Sequence, residues 1–232
     1  MSHYQFTRIA VKVGSNVLTR KDGTLDVTRM SALVDQIAEL RKGGLEVILI
    51  SSGAVASGRS ELKPSKKLDS VEQRQLFSSV GQAKLINRYY ELFREHQIPV
   101  GQVLTTKENF GTRRHYLNQR NCMRVMLANG VLPIVNENDT ISTYEIQFGD
   151  NDTLSAVVAA LVQADLLILL SDIDGLFTDD PNKNPDAKFI DYVDHVDQHF
   201  EKMGKGSASD VGTGGMSTKL KAAKLATSAG AD

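Results

Sequence analysis

The sequence predicts an α/β fold, a mainly parallel sheet between helical layers. Three observations predict it. Short apolar runs alternate with amphipathic stretches along the whole chain, giving about five core strands, and such alternation builds parallel sheets. Two of those runs, Glu46–Ile50 (EVILI) and Leu166–Leu170 (LLILL), are apolar almost throughout, as strands covered on both faces are. The runs also end in small or polar residues, which puts a series of turns at the edge where open α/β sheets bind ligands.

Taken in order, Ile9–Val13 (IAVKV) is a short β-branched strand whose apolar run is broken by Lys12, followed at once by Gly14-Ser15-Asn16. A lysine there can reach a phosphate cradled by turn N–H groups. It can equally snorkel to the surface, and these residues alone favour the second reading. Asp26 caps a helix running to about Lys42, with Met30, Leu33, Val34, Ile37 and Leu40 as its apolar stripe and Gly43-Gly44 as its stop. Glu46–Ile50 is the next strand and runs into Ser51-Ser52-Gly53-Ala54, where small residues let backbone approach a ligand or simply make a tight turn. Residues 60–69 form a polar connection. Val71–His96 is mostly helical, with Gly81 as a point that can break it in two. Val100–Leu104 is a strand, Thr105–Gly111 a loop, and Arg113–Ala128 a helix stopped by Asn129-Gly130.

The most informative stretch follows. Val131–Val135 reads as a buried strand ending in Asn136-Glu137-Asn138-Asp139. A mixed loop spans 140–148, Gly149-Asp150-Asn151-Asp152 follows, and Thr153–Val162 reads as a buried helix. A helix cap accounts for one of Asp150 and Asp152. It leaves unexplained four carboxylates and three asparagines in two short loops. So much negative charge calls for cations, ligand or water nearby. Beyond the strand Leu166–Leu170, Ser171-Asp172-Ile173-Asp174-Gly175 imitates the start of a calcium loop, but no glutamate follows at the required place. Residues 178–187 form a surface loop. His195 and His199 are spaced like a metal pair without further ligands, so a solvated face is the simpler reading. Finally, the glycine-rich run from Gly204 leads into a helix from about Met216 with Lys219 in its first turn. The glycines and the helix start together suit an anion.

Composition narrows the function classes. Net charge is −1, with 41% hydrophobic and 24% charged residues, so nothing suggests a nucleic-acid or anionic-membrane surface. The longest apolar run falls far short of a membrane span, and the start at Met1–Phe6 is short and polar. Cys122, the one cysteine, excludes an internal disulfide framework and suits a cytoplasmic location. It is expected to be a buried, inert thiol. What remains is a set of lysines and small-residue turns suited to polyphosphate, beside acidic and amide clusters suited to an ammonium group. Phosphoryl transfer needs chiefly that, positioning and cations around the moving group.

The motifs Lys12-Val13-Gly14-Ser15, Ser51-Ser52-Gly53-Ala54, Val135-Asn136-Glu137-Asn138-Asp139, Phe148-Gly149-Asp150-Asn151-Asp152, Ser171-Asp172-Ile173-Asp174-Gly175-Leu176 and Gly212–Lys219 (GTGGMSTK) occur in this order. On these the chain resembles the glutamate 5-kinases of the amino acid kinase superfamily. The resemblance implies a three-layer α/β/α sandwich and ATP-dependent phosphorylation of the L-glutamate side-chain carboxylate, the first step of proline synthesis. Catalytic roles fall by resemblance on Lys12, Lys219 and Asp152, with Asp152 organising the lysines. Ser52, Asn136, Asp139 and Asn151 would bind glutamate, Asp139 facing its ammonium. Lys12, Gly14, Ser171, Asp172, Thr213, Gly214, Gly215, Met216, Ser217, Thr218 and Lys219 would line the nucleotide site. No metal ligands are implied, the Mg²⁺ being held by the phosphates of ATP. Residues 139–147 would close on substrate and sense proline, the family's usual inhibitor. A homo-oligomer, dimer or tetramer, and a glutamyl phosphate reductase partner are further implications. The chain is expected to be one amino acid kinase domain over residues 1–232, truncated before the strand and helix with which the family continues and without the PUA domain many members carry. The competing readings are a kinase of another carboxylate or carbamate, and a non-catalytic sensor.

Overall fold

In the computed structural model, which describes residues 5–143, 147–181, 183–196, 200 and 215–232, the chain forms an α/β/α sandwich. Strands β1 (Arg8–Val13), β2 (Glu46–Ser51), β3 (Val100–Thr105), β4 (Leu132–Glu137) and β5 (Leu166–Leu170) make one sheet in the order β3-β4-β2-β1-β5, with every neighbouring pair parallel. The helices defined within the described residues are α1 (Ser15–Leu18), α2 (Val27–Lys42), α3 (Ala54–Glu61), α4 (Ser70–Glu95), α5 (Glu108–Gly111), α6 (Arg113–Ala128), α7 (Asn151–Val162) and α8 (Met216–Ser228).

Strand alternation assigns the layers. Ile9, Val11 and Val13 of β1 and Val47 and Leu49 of β2 turn to one face, where they pack on Met30, Val34 and Ile37 of α2 and Leu85, Tyr89 and Phe93 of α4. Ala10, Ile48 and Ile50 turn to the other, against Met123 of α6 and Leu154 and Val158 of α7. Lys12 shares that second face, one step beyond Ala10. The break in the IAVKV alternation is therefore a lysine aimed at the α7 layer. Helix α8 joins this layer through small residues, Ala156 of α7 against Ala222 and Ala226. At the outer side of β5, Asp232 donates its amide to the Asp165 carbonyl and accepts from the Leu167 amide.

Capping follows local chemistry. Asp26 accepts from the Arg29 amide, Asp69 and Glu72 form a reciprocal capping box, and Asp150 accepts from the Thr153 amide. Asp150 is thus the cap, and α7 begins at Asn151, two residues before the expected start.

Three expectations are corrected. Gly81 does not break α4, which runs unbroken through 26 residues. The glycine is there because α3 crosses close by: a Cβ at Gly81 would lie 1.7 Å from the Ala54 carbonyl oxygen, and one at Gly58 would lie 1.8 Å from that of Phe77. Residues 105–111 contain a short helix, α5, rather than loop alone. Cys122 is exposed rather than buried, because the apolar stripe of α6 buries only Met123. The surface loop at 178–187 is bracketed by a small antiparallel ladder, β6 (Leu176–Phe177) with β7 (Phe189–Ile190).

The crossing makes a checkable statement. Replacing a helix-interior glycine by alanine ordinarily stabilises by about 1 kcal/mol. Gly81→Ala should instead destabilise by about 3 kcal/mol or more, because backbone cannot yield as a side chain does, and urea unfolding measures it. A neutral or stabilising result would contradict the close packing of α3 on α4.

Candidate active site

Strand register builds the site. Val13 is level with Ser51 on one side and Leu170 on the other, and Ile50 is level with Val135. The residues that follow each strand therefore emerge side by side at the carboxyl edge: Gly14 after β1, Ser52 after β2, Asn138 after β4 and Ser171 after β5. The ends are tied together. The Gly14 amide donates to the Leu170 carbonyl at 3.2 Å, and the Ser52 amide donates to the Val13 carbonyl at 3.2 Å.

The first cluster is cationic. Lys12 Nζ lies 2.6 Å from Asp152 Oδ1, and Lys219 Nζ lies 3.6 Å from Asp152 Oδ2. The Thr218 hydroxyl donates to Asp152 Oδ2 at 2.7 Å. The three side chains are 8%, 18% and 1% exposed for Lys12, Lys219 and Asp152. Burial alone would push the Asp152 carboxyl up. Lys12, the Thr218 hydroxyl and Lys219 outweigh it and hold the group below the usual aspartate range. Its place in the first turn of α7, at the positive end of the helix, acts in the same direction. One carboxylate facing two ammonium groups leaves a net positive charge, so the cluster is built to receive an anion. Beside it, Asn16 Nδ2 donates to Asp172 Oδ2 at 2.9 Å, and the Ser171 hydroxyl donates to Asp172 Oδ1 at 3.2 Å. The Asn16 bond leads the contacts that keep Asp172 below its ordinary pKa.

The second cluster lines a cleft of about 450 Å³ formed by Ser52, Asn136, Asp139 and Asn151 with Arg59, Arg74, Glu137 and neighbours, within the size range of small-ligand sites. Asn151 Nδ2 donates to the Ser52 hydroxyl at 2.8 Å, to Asn136 Oδ1 at 2.9 Å and to the Ser51 carbonyl at 3.3 Å. Arg74 reaches into the same corner, its Nε 3.8 Å from Asp139 Oδ1, and also contacts Gln147. Burial pushes Asp139 up to about 7, with Glu137 adding to the rise and Arg74 only partly opposing it. Glu137 is itself raised by burial, although the Phe148 amide donates to its Oε1 at 2.6 Å. The cleft therefore holds two buried acids, Glu137 and Asp139, that share Arg74, an environment a bound cation would relieve.

All four expected substrate residues line the one cleft, and Lys12, Asp152 and Lys219 meet in one cluster. Gly14 lies against Lys12 Nζ, Ser171 and Asp172 stand at the tip of β5, and Gly215, Met216, Ser217 and Thr218 form the start of α8. Thr213 and Gly214 lie outside the described residues, as do His199 and the middle of the 139–147 loop. His195 is exposed and lies 3.5 Å from Asp194. Sequence reasoning missed Asn16, Arg74, Gln82 and the contribution of Glu137. Arg74 and Gln82 reach across from α4, and only the apolar spacing around them was readable.

Comparison with known proteins adds the following. Residues 7–231 match the family model described as the amino acid kinase family. The chain is 67% identical over 220 residues to a glutamate 5-kinase of Bacteroides thetaiotaomicron, covering 95% of this chain and 61% of that protein. It is 46% identical over 224 residues to a glutamate 5-kinase of Carboxydothermus hydrogenoformans, covering 96% of this chain and 60% of that protein. The chain thus spans about three fifths of the length of these curated relatives. An X-ray structure of isopentenyl phosphate kinase superposes with a TM-score of 0.59 at 16% identity, covering 84% of this chain and 86% of that one, which is a likeness of fold.

The Asp139 environment makes a pH prediction. Its folded pKa, about 7, stands above the ordinary 3.8, so between those values the folded chain holds a proton that the unfolded chain has released. The contribution of this group to stability is greatest below about pH 4 and declines as pH rises to about 7. The difference in unfolding free energy between wild type and Asp139→Asn should fall with pH across that window, by up to ~1.4 kcal/mol per pH unit. Parallel stability profiles of the two proteins would contradict it.

Proposed function

The chain belongs to the amino acid kinase family, and from that premise we propose that it transfers the γ-phosphoryl group of ATP to the side-chain carboxylate of L-glutamate. A carboxylate oxygen attacks the γ-phosphorus, the bond to the β-phosphate oxygen breaks, and γ-glutamyl phosphate and ADP form. A carboxylate nucleophile has no proton to lose before attack, so the acidic groups of the site are free to hold cations instead of acting as bases.

The observation that carries the reading is the pairing of Lys12 and Lys219 on one buried carboxylate. Asp152 keeps both ammonium groups in place before the nucleotide arrives, so little reorganisation remains when charge spreads over the equatorial phosphoryl oxygens. The start of α8, from Gly215 to Thr218, and the tip of β5 flank the cluster as a nucleotide site would. On the other side, Asp139, Asn151 and Ser52 line a cleft suited to the amino-acid end of glutamate. The printed names of the 67% and 46% identical relatives support the choice of glutamate.

Magnesium fits as a companion of the nucleotide. Both Asp152 oxygens are engaged by Lys12, Lys219 and Thr218, and Asp172 accepts from Asn16 and Ser171, so the ion would be held by phosphate oxygens and water. It would offset phosphate charge there. Within the same reading the reaction opens proline synthesis in the cytoplasm, proline acts as feedback inhibitor, the chain works as a homo-oligomer, and a reductase consumes the acyl phosphate.

Hydroxylamine trapping tests the proposal. The chain should form hydroxamate that depends on both ATP and L-glutamate. Lys12→Ala and Lys219→Ala should each lower turnover by about a hundredfold or more, the usual loss when one preorganised charged donor is removed. Preference for aspartate, acetylglutamate or carbamate would reassign the substrate, and near-normal turnover in both variants would remove the lysines from the mechanism.

A further inference from the structure

We propose that Gln82 is a positioning residue for substrate selection, holding a chain of amides that turns the Asn151 side-chain oxygen into the cleft to receive an ammonium group. The inference rests on the glutamate reading above and deepens it. Gln82 lies on α4, is buried, and accepts from Asn136 Nδ2 through its Oε1 at 2.9 Å. Asn136, also buried, accepts on its Oδ1 from its neighbour's backbone amide, that of Glu137, at 2.9 Å, and from Asn151 Nδ2 at 2.9 Å.

Amide orientation is ordinarily settled by the hydrogen-bond network, and here two backbone groups settle it. The Glu137 N–H can only donate, so the atom of Asn136 that faces it is the oxygen, which directs the Asn136 NH₂ at Gln82. The Ser51 carbonyl can only accept, so the atom of Asn151 beside it, 3.3 Å away, is the nitrogen. Both hydrogens of the Asn151 amide are taken up by protein acceptors, so what this cleft-lining side chain can still offer a ligand is its oxygen. An oxygen presented this way accepts and does not donate. It suits the ammonium of an amino acid and offers nothing to a second carboxylate.

Gln82 is the far end of this chain and has no need to touch the ligand. Its position depends on the close crossing made by Gly81, the residue before it, over Ala54. Without the Gln82 oxygen, the buried Asn136 NH₂ loses its acceptor. Asn136 then has reason to rotate, releasing Asn151 from its fixed orientation.

Direct calorimetric binding of L-glutamate and of glutarate, which lacks the ammonium, tests the inference, with the KM for ATP as control. Wild type should prefer L-glutamate strongly, as a site built to hydrogen-bond a group rejects the analogue without it. Gln82→Met keeps length but removes the acceptor and should shrink that preference by about tenfold or more, with the KM for ATP within about twofold. Gln82→Glu restores an acceptor oxygen and should keep the preference within about threefold of wild type. A Gln82→Met protein with undiminished preference, or a Gln82→Glu protein that loses it, overturns the inference while leaving the kinase reading intact. Absence of any glutamate preference in the wild type overturns the glutamate reading itself, and this inference with it.

Discussion

Asp152 is almost wholly withdrawn from water with a lysine on each of its oxygens, and the surrounding architecture is arranged to make that tolerable. A buried carboxylate with no partner would take up a proton, and a buried lysine with none would lose its own. Breaking a buried pair by removing one member commonly costs about 3–5 kcal/mol. The partners come from near the two ends of the chain, β1 inside the sheet next to its edge strand β5 and α8 in the α7 layer, so the cluster also fastens α8 onto α7. The small residues between those helices, Ala156, Ala222 and Ala226, let α8 approach closely enough for Lys219 and Thr218 to reach Asp152.

The first turn of α7 joins the two halves of the site. Asn151 and Asp152 are consecutive, yet they serve different clusters. Asn151 faces the cleft lined by Ser52, Asn136 and Asp139, while Asp152 faces Lys12, Thr218 and Lys219. A ligand held in the cleft and an anion held by the lysines are thereby separated by one residue of a capped helix, whose N-terminus Asp150 secures. A rigid element at that junction is a good way to hold two reactants at a fixed separation. The charges are complementary as well: two buried acids sharing one arginine in the cleft, two ammonium groups sharing one carboxylate across the turn.

Much of this was legible in the sequence. The five core strands, their parallel arrangement and the helices between them followed from apolar runs of the right length and spacing. The polar clusters that line the cleft drew notice at strand ends, where they have few structural explanations, and their assignment to substrate came from the motif resemblance. What the sequence left open depended on distant partners. Lys12 read locally as a snorkelling side chain, and only Asp152, far along the chain, decides otherwise. Gly81 read as a helix break because the backbone of α3 that needs its missing Cβ belongs to another segment. Helices α1 and α3, short and following directly on turns, lacked the apolar periodicity by which longer ones are recognised. Cys122 was misplaced because residues flanking a helical stripe resemble those within it. Gln82 and Arg74 had no signal of their own, since an amide or guanidinium inside a long amphipathic helix is ordinarily a solvated side chain.

The central claim is that Lys12 and Lys219 converge on one phosphoryl group with Asp152 behind them. A crystal structure of the chain with L-glutamate and a non-hydrolysable ATP analogue with magnesium tests it most directly. The account predicts both Nζ atoms at hydrogen-bond distance, about 3 Å, from oxygens of the terminal phosphate, with Asp152 still bridging them. A terminal phosphate bound away from either lysine, or a Lys219 turned out to solvent in the filled site, would contradict it.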